Sequence, residues 1–429
     1  MKRYLICCLA IFFSALVGYY IILQWTGTVL SRKGYTRESL LDAAELDPSN
    51  PDPFYKLGII HQWNLLSVDL EESAHYFQKA IQRNPLEQEY WLNLARVSQR
   101  MEDIGAFERA LENAILVFPT SYRGRWIVGN LLLQRGQLEK ALPHFSYILS
   151  HYPNRGNLVY DVWLKTVDDR DFLLERLIPS DPSSLNQYLI YLYGARDTES
   201  AGKAWAKLIS SGYKPDRRET IRHVNFLISC GELTEAAQVW KARLKEEGLP
   251  GPPDENLVTN GGFETETGLG GGFDWRIRKG AGAEASFDHS VAFEGESSLK
   301  ITFNGKENPD FHHIYQYVAL KPSTRYLLTA QMKTEAVTTK SGPKIEVLGV
   351  GPAFRKESKS LIGDNGWNEL TVSFRTPARS QGVMVRVRRA KTDKFDRFIS
   401  GTVWVDNVRI EEVTDYSSTR QTKQTRQTR

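Results

Sequence analysis

The sequence predicts a three-part chain: a transmembrane helix, an α-solenoid of paired helices, and a C-terminal antiparallel β-sandwich. Three observations predict it. Tyr4 to Leu23 runs without a charge. Pro85, Pro119 and Pro153 stand 34 residues apart, each just after a run with helical apolar spacing. Beyond Pro253 the apolar period drops to two and stays there. About 20 apolar residues span a bilayer core, a period of 34 marks stacked helix pairs, and a period of two marks strands with one buried face.

The first segment, residues 1–30, is expected to be a membrane anchor. Lys2 and Arg3 precede the apolar run, and Tyr19, Tyr20 and Trp25 cluster at its far end, where aromatic residues favour the membrane interface. The competing expectation is a cleaved signal peptide. Against it, the run is long for a signal core and no small-x-small cleavage site follows. The short basic N-terminus favours a cytoplasmic start, although Arg32, Lys33 and Arg37 dilute that bias. The expected location is a bacterial inner membrane, crossed once, with the rest of the chain in the periplasm or otherwise outside the cytoplasm.

Residues 36–155 carry the repeats. The runs Ala74 to Arg83, Phe107 to Val117 and Leu142 to Ser150 end before the three prolines, and Pro48 stands one unit earlier with a three-residue insertion. First-helix positions repeat as Phe54, Leu57, Gly58, then Trp91, Leu94, Ala95, then Trp126, Val128, Gly129. Second-helix positions repeat as Phe77 and Ala80, then Ala141 and Phe145. Small residues let two helices approach, and aromatic residues fill the space between hairpins. This stretch resembles tetratricopeptide repeats. From 156 to 248 the period loosens, but Leu189–Gly194 leading to Ala201–Ile209, and Phe226–Gly231 leading to Ala236–Leu244, still read as helix, turn, helix. Such solenoids bury a core only by stacking and present a surface to extended partners, so a protein partner is expected on the repeats, against the plainer reading of a spacer.

Residues 249–255, rich in Pro and Gly, read as a linker. In 256–414 the strands alternate: Leu299, Ile301, Phe303; then Tyr326, Leu328, Ala330, Met332; then Leu370, Val372, Phe374; then Val383, Val385, Val387. Turn signals such as Lys321-Pro322-Ser323 and Gly363-Asp364-Asn365-Gly366 separate them, as in an antiparallel sandwich. The opening Leu257–Glu264, Trp275, Gly295–Ile301, Tyr315–Val318, Trp367–Leu370 and the closing Val405–Val408 together resemble the jelly-roll carbohydrate-binding modules of families 4, 9 and 22. The polar tail 415–429 is expected to be disordered and basic.

That resemblance implies two sites. A structural Ca²⁺ ion would be held where the first and last strands meet, by Glu264 and Asp406 with carbonyls near Gly295–Ser298 and water completing the shell. The alternative is that the two carboxylates cap turns or pair with cations. A sugar surface would draw on Trp275, Tyr315 and Tyr317 for stacking. Tyr315 and Tyr317 share a face opposite Ile314 and Val318, and Arg386 and Arg388 share one opposite Val383, Val385 and Val387. A basic strand beside aromatic residues suits an acidic polysaccharide. The plainer readings are that Trp275 belongs to the core and that the arginines are solvated.

The net charge of +4 is too small to argue for nucleic acid by itself, and none is expected as a partner. Cys7 and Cys8 lie in the apolar run and only Cys230 follows, so the protein does not rest on disulfides. No nucleophile elbow, phosphate loop, His-Glu-x-x-His or Cys-x-x-Cys is present, so no enzyme is expected. The functional expectation is a membrane-anchored envelope protein that docks a protein partner and binds a glycan, in exopolysaccharide or surface-glycan assembly. The alternatives are a purely structural scaffold whose β module binds no sugar and, last, a glycan-modifying enzyme.

Overall fold

The computed structural model describes residues 2–34, 36–64, 68–252 and 256–413, with backbone only for residues 2 and 3. The expected disordered tail at 415–429 and part of the expected linker, 253–255, lie outside these residues. The chain divides into two compact units, one of residues 1–192 with 200–211 and one of 193–199 with 212–429.

The first unit opens with α1 (Lys2–Lys33) and continues through α2 (Arg37–Leu46), α3 (Pro51–Trp63), α4 (Leu70–Arg83), α5 (Gln88–Arg100), α6 (Ile104–Val117), α7 (Tyr122–Gln134) and α8 (Leu138–His151). Helices α3–α4, α5–α6 and α7–α8 pack as antiparallel hairpins. Local chemistry sets their ends. Asn50, Asp69, Asp103 and Ser121 cap α3, α4, α6 and α7 by accepting backbone N–H groups that have no partner inside the helix. Trp91 Nε1 donates to the carbonyl of Pro85 at 2.8 Å, and Arg125 Nε, one 34-residue unit on, donates to Pro119 at 2.9 Å. Pro85 and Pro119, two of the prolines that punctuate the sequence, are thus tied to the next helix by a recurring bond.

Inside each hairpin a small residue faces a large one. A Cβ added to Gly58 would come within 2.7 Å of the Phe77 ring, and one added to Gly129 within 2.5 Å of the Phe145 ring. The intervening unit places Ala95 and Leu111 at these positions, both buried. Phe77, Phe107 and Phe145 are fully buried, and each such side chain contributes about 1.5–3 kcal/mol.

After a short 3₁₀ turn and α9 (Gly156–Val167), Asp168 takes a left-handed conformation (φ 50°) that ends the helix. Helix α10 (Arg170–Phe172) then runs into a π turn, Leu173–Leu177. This is where the repeat loosens: a π turn inserts a residue per turn and shifts the apolar face. Helices α11 (Pro182–Ala195) and α12 (Thr198–Ser210) follow.

In the second unit, α13 (Arg217–Cys230) and α14 (Leu233–Glu247) form a hairpin. Asp216 and Glu219 cap α13 reciprocally, and Gly231 (φ 92°) ends it. The β strands are β1 (Arg276–Ile277), β2 (Ala283–Asp288), β3 (Ser298–Asn304), β4 (Phe311–Ala319), β5 (Arg325–Val337), β6 (Lys344–Gly349), β7 (Arg355–Glu357), β8 (Gly363–Arg375), β9 (Gly382–Arg389) and β10 (Ser400–Glu412). Two five-stranded antiparallel sheets result, ordered β1-β4-β9-β6-β7 (sheet A) and β2-β3-β10-β5-β8 (sheet B). Every alternating set read from the sequence points inward: Leu299, Ile301 and Phe303; Tyr326, Leu328, Ala330 and Met332; Leu370, Val372 and Phe374; Val383, Val385 and Val387.

The opening stretch runs along the last strand. Asn256 Nδ2 donates to the Val408 carbonyl at 3.0 Å, Leu257 N to Ile410 O at 3.1 Å, and Val408 N to Gly261 O at 2.8 Å. Gly261 is required there, because a Cβ would fall 2.0 Å from the Val408 oxygen.

Candidate functional site

Register places one residue from each strand of sheet A in a single row on its outer face: Arg276, Tyr315, Arg386, Glu346 and Glu357. The row follows from period two. Ile314, Val318, Val385, Val387, Ile345 and Val347 go into the core, so their sequence neighbours face outward. Tyr315 and Tyr317 lie with ring centroids 5.8 Å apart, edge to face. Arg276 packs over both rings at 6.0 and 5.6 Å, and the exposed Arg278 lies over Tyr315 at 5.4 Å. Burial and the neighbouring Tyr315 raise the Tyr317 hydroxyl above its ordinary pKa.

Arg386 and Arg388 part company. Arg386 pairs with Glu346, which is fully buried and also takes Arg355 Nε at 2.5 Å. Arg388 is buried and turned to the strand ends: it donates to the carbonyls of Phe311 (3.1 Å) and Arg389 (2.6 Å) and to Asp310 Oδ1 (2.5 Å). Trp275 lies apart from the tyrosines. Its Nε1 donates to the Asn260 carbonyl at 3.1 Å, and its ring packs 5.0 Å from Phe263 against the core.

The two carboxylates singled out for a cation do come together. A Cβ at Gly262 would stand 3.7 Å from Glu264 Oε1 and 3.8 Å from Asp406 Oδ1. Asp406 is fully buried and accepts from Phe293 N (2.7 Å), Glu294 N (3.2 Å) and Asn407 N (2.6 Å). Glu264 accepts from Glu296 N at 3.1 Å. Burial raises the Asp406 pKa above the usual carboxylate value; the backbone bonds oppose this, and the nearby Glu264 charge adds to it. Among the described residues no group of three or more His, Cys, Asp or Glu side chains gathers as a metal cluster. Beside the pair lies a cavity of about 780 Å³, lined by Trp275, Glu264, Glu266, Asp274, Glu294 and Arg409 among others.

Sequence reasoning missed Glu346, Arg276, Arg278 and Asn225. The first three carried a signal, since Glu346 alternates with the buried Ile345 and Val347, and Arg276 and Arg278 flank Ile277, which packs against the core. Asn225 lies on α13 and bonds to Arg276 and Gly272; nothing local in the sequence marks it.

No family model matches the chain. Three curated Bacillus proteins match over 166 residues, among them the tRNA(Glu)-specific nuclease WapA of Bacillus subtilis subsp. natto (26% identical) and the tRNA nuclease WapA of Bacillus subtilis strain 168 (24%). The match takes in 37% of this chain but only 7% of those proteins. This corrects the expectation that no enzyme is involved: all three matched proteins are named as nucleases. Among solved structures, a family 16 carbohydrate-binding module is similar at 20% identity and a TM-score of 0.25, covering 36% of this chain and 99% of that one. The CBM22-1 xylan-binding domain of Paenibacillus barcinonensis Xyn10C is similar at 16% and 0.27, covering 38% and 99%. The structure of MamA is similar at 20% and 0.27, covering 34% and 84%. TM-scores of this size decide no ligand; the sandwich itself rests on its two sheets and their shared core.

Proposed function

We propose that the protein is a membrane-anchored envelope protein whose outer sheet A face binds a glycan and whose helical hairpins, read as tetratricopeptide-type repeats, dock a protein partner. One observation carries the glycan reading: Tyr315 and Tyr317 stand together on an outward face, with arginines packed over their rings and Arg386 next in the row. Aromatic faces stack on the C–H patches of sugars, and guanidinium groups hydrogen-bond to hydroxyls and acidic substituents. The 30-residue apolar helix segment Tyr4–Lys33, none of whose most apolar window is buried, supports the anchor. A place in exopolysaccharide or surface-glycan assembly follows from combining these parts.

Glu264 and Asp406 would hold a Ca²⁺ ion. Two carboxylates that repel one another, one of them buried, suit a hard cation, which would supply the missing counter-charge.

The experiment is affinity electrophoresis of the full-length protein through a panel of polysaccharides. Retention is expected, with Tyr315→Ala weakening it about tenfold, or about 1.4 kcal/mol. If no polysaccharide slows the protein, with or without Ca²⁺, the glycan reading is lost. A scaffold that binds no sugar is the second reading, favoured by Glu346, whose charge is already met by Arg355 and Arg386.

A further inference from the structure

The hairpin α13–α14 belongs to the same compact unit as the sandwich, and its residues close two sides of the outer face of sheet A. At the β1 edge, Asn225 Oδ1 accepts from Arg276 Nη2 at 2.6 Å and from Gly272 N at 3.2 Å. Helix α13 is thereby held beside the first residue of the row. Trp240 of α14 backs this corner, fully packed 5.6 Å from Phe273. At the end of the face where Ala319 pairs with Gly382, Leu233 stands over the sheet; its Cδ2 is 2.7 Å from where a Gly382 Cβ would lie. Gln381 fastens the same turn, donating to Glu232 Oε2 at 2.8 Å and accepting from Thr234 N at 3.1 Å. The β7 edge is different. There the Arg355 side chain is 52% exposed and that of Glu357 40%. The row is walled at β1 and open at β7.

The face is also basic. Arg276, Arg278, Lys344, Arg355 and Arg386 outnumber Glu346 and Glu357. Arg276 stands at the walled end, between the tyrosine rings and Asn225.

We infer that α13–α14 is part of the glycan site, and that the face takes the terminus of an acidic glycan chain and not an internal stretch. The inference rests on the glycan reading above and adds to it the chain end and the charge. A chain entering over β7 runs along the row, stacks on Tyr315 and stops at Arg276 and Asn225. A carboxylate on its last sugar meets the charge of the Arg276 guanidinium and its Nη1, because Nη2 already donates to Asn225 Oδ1 and to the Gly272 carbonyl. A polymer lying across the whole row would have to pass through α13.

The test is the binding stoichiometry of the full-length protein, kept in non-ionic detergent, on long-chain and short-chain polyuronate, with neutral glucans and xylans of matched length alongside. The expected result is a number of proteins bound per polyuronate chain that does not change with chain length. Copies per chain that rise with length overturn the chain-end inference while leaving glycan binding intact. Retention by neutral polymers alone overturns the acidic class. No retention by any polymer overturns the glycan reading itself. For the hairpin, Asn225→Asp, which keeps the acceptor for Arg276 and Gly272, is expected to weaken short-chain polyuronate binding about tenfold by placing a negative charge beside Arg276, with an unchanged unfolding midpoint. Wild-type affinity in that variant removes the hairpin from the site.

Discussion

Arg389 shows how much a single side chain carries in this sandwich. It is fully buried, and it donates to the carbonyls of Ser341 (3.3 Å), Pro309 (2.7 Å) and Arg397 (2.7 Å) and to Asn308 Oδ1 (2.7 Å). Three loops therefore hang on one guanidinium. Replacing it with methionine strips those carbonyls of their donor, and we expect a loss of about 3 kcal/mol in urea unfolding; a change below about 1 kcal/mol would refute that role. Two histidines give the protein an acid limb. Burial lowers His144 and His223 to about 4 in the folded chain, against the ordinary 6.5, with the Arg125 charge adding to the effect at His144. As pH falls below 6.5, the unfolded chain takes up those protons first. The contribution is complete above that value and is lost as pH falls towards the folded value. At pH 5 each histidine costs about 2 kcal/mol. A His223→Phe variant should show a shallower fall in urea midpoint between pH 7 and pH 5, and an identical slope would count against the assignment. For Glu264 and Asp406, a chelator should lower the melting temperature of the wild type and leave that of Asp406→Ala unmoved. An equal response in both would remove the Ca²⁺ proposal.

At the scale of elements, the hairpins work by matching sizes across a close contact. Gly58 meets Phe77 and Gly129 meets Phe145, whereas the unit between them uses Ala95 and Leu111. A Gly129→Ala change should cost about 2 kcal/mol, because the added Cβ overlaps the Phe145 ring in a packed core. Adding Phe145→Leu should recover most of that loss by recreating the Ala–Leu pairing. If the double variant unfolds at the same urea concentration as the single one, the size match is not the cause. Because helices set side chains at fixed intervals, the repeat spacing marked Gly58, Phe77, Gly129 and Phe145 as recurring positions and led to the expectation of aromatic residues between hairpins. That each ring meets a glycine inside its own hairpin came from the packing. Strand faces were legible from fixed intervals too: Tyr315 and Tyr317 point away from Ile314 and Val318 as the alternation requires. Arg386 and Arg388 shared a face in the sequence, yet only Arg386 lies in the row beside Tyr315. Arg388 sits at the strand's end, where the carbonyls of the terminal residues Phe311 and Arg389 and the Asp310 carboxylate draw it in, and alternation says nothing about where a long side chain finds its partners.

For the molecule as a whole, α1 has two parts. Tyr4 to Ile22 and Trp25 expose large apolar side chains, whereas Gly27 and Ser31 are packed: a Gly27 Cβ would stand 2.8 Å from Asp47 Cβ, and Lys56 Nζ donates to the Ser31 carbonyl at 2.5 Å. Helix α1 thus runs without a break from an exposed apolar stretch into a turn packed against α2 and α3. The protein should sediment with membranes and resist alkaline carbonate, and removal of residues 2–24 should release it folded, since the packed turns stay; release of the full-length chain by carbonate would refute the anchor. Composition, a 34-residue period and a change to period two were enough to determine a helix able to span a bilayer, stacked hairpins and a sandwich. Those are properties of local order, and apolar spacing carries them. What only the tertiary structure decided is which side chains meet. The pairing of Glu346 with Arg386 and the approach of α13 to Arg276 bring together residues 40 and 51 positions apart. Contacts at that range are set by sheet order and packing, and no local pattern in the chain records them.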